Sequence, residues 1–389
     1  MFDGESCKAC GACILACPFV EVPRKDAKAE IALLIQGRGS KAIIRNCVGC
    51  TYCDVICPTQ SNPSHLREEL RLERLRRSGV SGLSLISEEV PMNIMSIGLE
   101  FEKEKKSERL DLYSKSVPAK EVFYLGCSLS YIYTDLADTK FLNDLPVIGG
   151  MKFCCGGFVR SQFGEEEAII WGRRLLRDLK DLGVESMVTF CPECDRMIGE
   201  VYPRLIPEFD IKSRNVVSYL LEQHRRGELE FANSIERRVT FHDSCAWRKM
   251  EPAVHENPRK LLEVMGAEVV EMKHNRRKSM CCGAPLAGRD LQLAARIAEK
   301  RVSEANETGA EILAIGCTGC FALWEKAASQ GLEVYHITEL AQLAMGEEPA
   351  HRIEEIRSQL RQKIIEVVAE DPDVLSKRYV IRDGEIVLL

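Results

Sequence analysis

The chain has no run of eighteen apolar residues. Its nearest stretch, Val80 to Gly98, is interrupted by Ser87, Glu88, Glu89 and Pro91, so no segment is expected to cross a bilayer. Basic excess is missing too: 53 Lys and Arg stand against 59 Asp and Glu, a net charge of -6. That balance lacks the basic face of a general nucleic-acid binder, and no nucleic-acid partner is expected. The opening residues, Met1-Phe2-Asp3-Gly4-Glu5-Ser6-Cys7, hold no basic and apolar leader of the secretory kind. A reducing, cytoplasmic setting is therefore expected, with thiols free or on metal rather than in disulfides. Nucleotide motifs are also wanting. Ile31 to Ala42 offers a short apolar run and then Gly37, Gly39 and Ala42, but Cys47 opens a cysteine loop just beyond. No helix and second strand fit there, so a plain turn is expected and any flavin must belong to a partner.

Cysteine, in contrast, is abundant, with 18 in 389 residues. The segment from Cys245 to Cys320 sets Cys245, Cys281-Cys282-Gly283 and Cys317-Thr318-Gly319-Cys320 at wide intervals, and the same order occurs upstream as Cys127, Cys154-Cys155-Gly156 and Cys191-Pro192-Glu193-Cys194. A five-cysteine unit that appears twice is an internal repeat. Glu121–Cys127 and Arg238–Cys245 are expected strands that deliver the first cysteine at their carboxyl ends. Helices follow over 165–182 and 290–308, ending at Gly183 and Gly309, and lead into second strands at 187–191 and 312–317. Strand, helix, strand in each copy predicts an α/β fold with two pseudo-symmetric βαβ modules on parallel sheets, the cysteines gathered at one sheet edge. Zinc and an ordinary cubane each take four ligands. Adjacent thiols such as Cys281 and Cys282 do not easily bind one iron, so they suit two metal atoms of a larger cluster. The alternatives are buried unliganded cysteines, or a cluster in one repeat and a structural metal in the other.

Cys7, Cys10, Cys13 and Cys17-Pro18, and again Cys47, Cys50, Cys53 and Cys57-Pro58, follow C-x2-C-x2-C-x3-C-P, the two-cluster ferredoxin pattern. Three cysteines wrap one cubane and the fourth reaches the other. Cys7, Cys10, Cys13 and Cys57 are thus expected on one [4Fe-4S] cluster and Cys47, Cys50, Cys53 and Cys17 on the second. Zinc would normally use paired C-x2-C units, which this pattern is not.

These signals divide the chain into a small α-helical ferredoxin-like domain at 1–60, a helical connector at 61–118, modules at 119–230 and 236–345, and a tail at 346–389. The connector holds an amphipathic helix, 65–79, whose arginines form a solvated face or a docking surface. A mixed-charge run, 101–109, is expected as a linker before a boundary near Val117-Pro118. The tail is expected to form a helix over 353–368 and a hairpin around Asp383-Gly384.

The doubled quintet behind a two-cluster ferredoxin segment resembles the D-type polypeptide of heterodisulfide reductase, a fused C- and B-type iron-sulfur protein, over nearly the whole chain to about residue 345. The layout is also similar to subunits of anaerobic glycerol-3-phosphate dehydrogenase, glycolate oxidase and the electron-bifurcating benzoyl-CoA reductase assembly. The resemblance implies a non-cubane [4Fe-4S] cluster on each quintet: one on Cys127, Cys154, Cys155, Cys191 and Cys194, another on Cys245, Cys281, Cys282, Cys317 and Cys320. It implies cleavage of a disulfide of the CoM-S-S-CoB type at paired clusters, or a pure relay without a substrate of its own. The implied partners are a flavoprotein or other redox subunit and a membrane cytochrome subunit that would hold the chain peripherally. The eight ferredoxin cysteines and ten module cysteines account for all 18, so none is left for a separate redox disulfide. His242 is a candidate proton source for the released thiols, with hydrogen bonding at the strand end as its alternative. Arg248, Lys249, Arg276, Arg277 and Lys278 are candidates for attracting an anionic substrate. One asymmetry stands out. Only 26 residues separate Cys127 from Cys154, against 35 between Cys245 and Cys281, and a smaller first pocket is expected.

Overall fold

The computed structural model describes residues 1–90, 92–104, 118–286 and 290–389. Of the mixed-charge run, Phe101 to Glu104 closes a helix, Ile94–Glu104; the remainder and the boundary at Val117 lie outside the described residues.

Each module is built on a four-stranded, all-parallel sheet. The first contains β2 (Glu121–Gly126), β3 (Val147–Gly149), β4 (Ser186–Thr189) and β5 (Lys212–Asn215) in the order β3-β2-β4-β5. The second repeats it with β6 (Arg238–His242), β7 (Glu268–Val269), β8 (Ile312–Ile315) and β9 (Glu333–His336) in the order β7-β6-β8-β9. Their central strands are near-continuous apolar runs because helices cover both faces. In β8 every residue is buried, and in β2 all but Glu121. The crossover helix of the first module, Glu165–Asp181, starts with three glutamates against its dipole and turns Leu175, Leu176 and Leu179 inward. Its counterpart, Leu291–Asn306, is capped by the Asp290 side chain, which accepts from the Leu293 N–H at 2.9 Å.

The chain leaves each first strand toward one sheet edge and returns to its other side. That reversal opens a crevice at the carboxyl ends of β2 and β4, and of β6 and β8, where all ten module cysteines fall. The longer second spacing is not spent on the crevice. It forms a helix, Ala253–Val264, where the first module has three short helical turns between Ser128 and Asp144. This helix packs on Val216–Arg225 of the first module, with Asn257 Nδ2 donating to Ser218 Oγ at 2.9 Å. The shorter first spacing thus lacks this outer helix.

The third sheet joins distant parts of the chain. β1 (Val80–Ser81) pairs antiparallel with β10 (Arg378–Arg382), which pairs with β11 (Glu385–Leu388) through the turn at Asp383-Gly384. Leu75, Val80, Leu85 and Val90 share a core there with Val159, Phe163, Val380 and Ile381. The helix Ser64–Ser78 lies over the N-terminal cysteine loops. Two of its arginines face neither solvent nor a docking surface: Arg67 and Arg71 are buried, Arg67 donating to the Cys13 carbonyl at 2.8 Å and Arg71 to the Ser161 carbonyl.

Candidate functional site

In the first sixty residues the short helices Ala12–Leu15 and Tyr52–Ile56 pack side by side and cross the two cysteine loops. Cys13 has Cys57, Cys10 and Cys7 as its charged neighbours, whereas Cys50 faces Cys17, and Cys53 faces Cys50 and Cys47. The fourth cysteine of each loop is therefore beside the other loop's trio, the crossed grouping expected from the spacing. Burial pushes the Cys13 thiol up to about 11 and the Cys50 thiol up to about 12. The Arg67 guanidinium sits among Cys53, Cys17, Cys47 and Cys13 and opposes that shift where it touches them.

In each module the Cys-Cys-Gly turn closes the crevice. Gly156 and Gly283 take φ of +69° and +89°, and a Cβ would meet Tyr202 Oη at 2.7 Å in one and the Ala294 carbonyl oxygen at 2.9 Å in the other. With the turn fixed, thiol meets thiol in one order. Cys127 contacts Cys154, then Cys155, Cys194 and Cys191 follow in the first module. In the second, Cys245 contacts Cys281, then Cys282, Cys320 and Cys317. The two rows meet head to head, because Cys191 also contacts Cys317. Ten sulfurs thus follow one another in a row whose two halves mirror each other in order. Cys191, Cys245 and Cys317 are partly exposed and the other seven are buried.

Side chains from both modules lock this junction. Trp247 Nε1 donates to the buried Asp195 Oδ2 at 2.9 Å, and Ser128 and Thr318 hydroxyls bond at 2.9 Å. Burial raises Asp195 to about 6. At its far end the row approaches the N-terminal domain, with Cys245 beside Cys50. Arg248, 1% exposed, bridges them: its guanidinium donates to the Cys50 and Arg277 carbonyls at 2.7 Å each and lies over the Tyr52 ring. Lys249 pairs with Asp54 at 2.6 Å, Arg277 Nε donates to the Arg248 carbonyl, and Arg276 is paired with Glu256 and Glu271. Two of the five basic residues expected to draw an anionic substrate, Arg248 and Lys249, instead fasten the second module to the first sixty residues, while Arg276 and Arg277 bond within the second module itself.

His242 is buried, and its Nδ1 accepts from Arg301 Nε at 2.9 Å. Burial lowers its pKa. Proton delivery to a released thiol does not follow from this placement; the strand-end hydrogen bond does. The surrounding polar groups were invisible to motif spacing. Asp243 is held by both guanidinium nitrogens of Arg259 at 2.8 Å, and Arg301 by Glu304 at 2.8 Å. Arg301 had one signal: it interrupts the buried face formed by Leu293, Ala294, Ile297, Ala298, Val302 and Ala305.

The cysteine-rich domain known as CCG matches residues 122–199 and 239–323. Two such domains make up the two modules. The CCG pair and the segment before it are similar to the D-type polypeptide of the dihydromethanophenazine:CoB–CoM heterodisulfide reductase of Methanosarcina mazei, 26% identical over 82% of this chain and 88% of that protein. The B-type polypeptide of a CoM/CoB fumarate reductase from Methanothermobacter marburgensis is 22% identical over 88% of the chain and 73% of its own length. A probable membrane-anchored ferredoxin of Chromohalobacter salexigens is 28% identical over 53% of the chain and 32% of its own length. The chain with its CCG domains is thereby related to iron-sulfur oxidoreductase subunits. Among the described residues, no helix is long and apolar enough to cross a membrane.

Proposed function

We propose that this chain reduces a disulfide of the CoM-S-S-CoB type, taking electrons from a flavoprotein or other redox subunit. The donor chemistry fits iron: thiols gathered in fours and in mostly buried fives, no carboxylate within either row among the described residues, and arginines at the margins. Cys7, Cys10, Cys13 and Cys57, and Cys47, Cys50, Cys53 and Cys17, would hold two cubane [4Fe-4S] clusters, and each CCG quintet a non-cubane [4Fe-4S] cluster. When bound, these groups supply single electrons. The net change is R-S-S-R′ plus two electrons and two protons giving R-SH and R′-SH.

The observation that carries this reading is the Cys191–Cys317 contact, where two half-buried cysteines of different domains meet. Such a junction would set two one-electron sites against the two halves of one S–S bond. Arg248 and Tyr52 hold the entry side together, and Trp247 with Asp195 holds the domains at a fixed separation. A pure relay is the second reading, supported by similarity to a chain named as a ferredoxin. The deciding experiment measures iron and acid-labile sulfide on anaerobically purified protein, then disulfide reduction with an artificial donor. About sixteen irons, four per cluster, with turnover supports disulfide cleavage. About sixteen without turnover leaves the relay, and about eight would sink both CCG clusters.

A further inference from the structure

The two quintets share their thiols and differ in what stands beside them. On the central strand, Tyr124 of β2 pairs with Thr189 and His242 of β6 pairs with Ile315, so these two residues occupy the same place three residues before the first cysteine. Counting back equally from Gly183 and Gly309, Leu175 occupies the place of Arg301. One module therefore has a Tyr-Leu pair where the other has a His-Arg pair.

The pair in the second module has a defined proton arrangement. A guanidinium offers donors only. Since Arg301 Nε donates to His242 Nδ1 at 2.9 Å, Nδ1 is the acceptor and the ring proton is on Nε2. Arg301 cannot swing away easily, being buried and held by Glu304 at 2.8 Å and Ser279 at 3.2 Å. His242 Nε2 has no oxygen or nitrogen acceptor, whereas a nitrogen of this ring and the sulfurs of Cys282 and Cys320 lie within 4.8 Å of one another. Sulfur is the acceptor that remains. In the first module the equivalent proton goes elsewhere: Tyr124 Oη donates to the Phe153 carbonyl.

The geometry points to His242 as a hydrogen-bond donor to the Cys282 sulfur, positioned by Arg301, which makes the second quintet's cluster easier to reduce than the first's. This rests on the proposed loading of both quintets. A donor to a thiolate favours the more negative, reduced state, and hydrogen bonds to sulfur are among the factors that set such potentials. The same arrangement excludes His242 as a metal ligand, because Nδ1 is occupied and Nε2 keeps its proton. Electrons entering beside Cys50 and Cys245 would then settle first on the nearer site.

The test is an EPR-monitored redox titration of the anaerobically purified, iron-loaded full chain. In the wild type two CCG transitions are expected, one higher than the other. His242→Phe should lower the higher one by about tenfold in the reduction equilibrium, the scale of one charge-assisted hydrogen bond, about 59 mV for one electron. Iron content and the other transition should stay unchanged. His242→Gln, which keeps an N–H, should restore part of the shift. Since His242→Phe strands Arg301, the double variant His242→Phe/Arg301→Leu, which replaces both members with apolar groups, is the second probe and should show the same lowering. With 15N-histidine, pulsed EPR should find one weakly coupled nitrogen at the second site, absent from His242→Phe. Strong coupling, or loss of about four irons in His242→Phe, would make His242 a ligand and overturn the inference. Full iron with unmoved potentials, or equal shifts at both sites, would overturn it as well. Wild-type protein without iron in the CCG domains would remove the loading itself, a failure recognisable by iron analysis before any titration.

Discussion

The two CCG domains solve the same packing problem with opposite chemistry. At the strand end of the first quintet stand Tyr124 and Leu125, with Leu175 and Tyr202 on following helices, and the hydroxyls there bond to carbonyls, Tyr202 Oη donating to Cys155 at 2.7 Å. Carboxylates of this domain, Glu193 and Asp195, lie at its C-x-x-C turn. Around the second stand His242, Asp243, Arg301 and Arg259, a buried ionic network in which Asp243 replaces Leu125. Duplication therefore preserved the thiols and the sheet order while the supporting shell diverged. Since the shell rather than the ligands differs, the two sites can differ in potential without differing in metal count. The ionic side is also the one that touches the N-terminal domain, through Arg248.

That contrast can be broken most completely at the ligands. Cys155→Ala and Cys282→Ala should each reduce iron from about sixteen to about twelve per chain, abolish disulfide turnover, and leave the EPR signal of the other domain in place. The next largest effect separates the shells. Asp243→Leu, which copies the first domain, should cost about 3 kcal/mol in denaturant unfolding, because Arg259 loses its buried carboxylate and keeps only Glu271, while the Arg276 N–H loses its acceptor. Tyr202→Phe tests the hydroxyl shell and should cost about 1–3 kcal/mol, the result of leaving the buried Cys155 carbonyl unsatisfied.

The smallest effect concerns the helices that follow the last strands. Asn215 caps Val216–Arg225, whereas His336 caps Ile337–Ala344 in a capping box with Glu339, which also receives His351 at 2.9 Å. Burial works against the charge on His351, but the Glu339 carboxylate outweighs it and raises the pKa above 6.5. A raised histidine contributes stability that is complete below its unfolded value and disappears as pH climbs through the folded one. The wild type should thus lose under about 1 kcal/mol as pH rises above 6.5, and His351→Phe should show a flatter profile in the same unfolding measurement.

Cysteine spacing made the N-terminal grouping and the order of both quintets legible, because thiols that come together from a repeated unit recur at matching intervals along the chain. The central parallel strands followed from apolar runs ending at cysteines, whereas the outer strands β3, β5, β7 and β9 and the strand order did not. The head-to-head meeting of Cys191 and Cys317 was not legible, since it depends on how two domains dock, and Trp247 and Asp195 carry no motif. The shell was hidden for a related reason. Arg248 and Arg276 look like surface charge in sequence, and only their distant partners, the Cys50 carbonyl and Glu256, show them to be structural. The tail hairpin was visible at Asp383-Gly384, but its pairing with Val80 joins residues almost three hundred positions apart, beyond any local pattern.

That last pairing has a consequence for biosynthesis. During translation Val80 and Ser81 emerge early, yet their partner strand is made almost three hundred residues later. Both cysteine-rich domains and the ferredoxin loops are complete before β10 exists. The sheet that ties the connector to the tail therefore closes only after both CCG domains have been made, so those domains can fold before the connector is pinned.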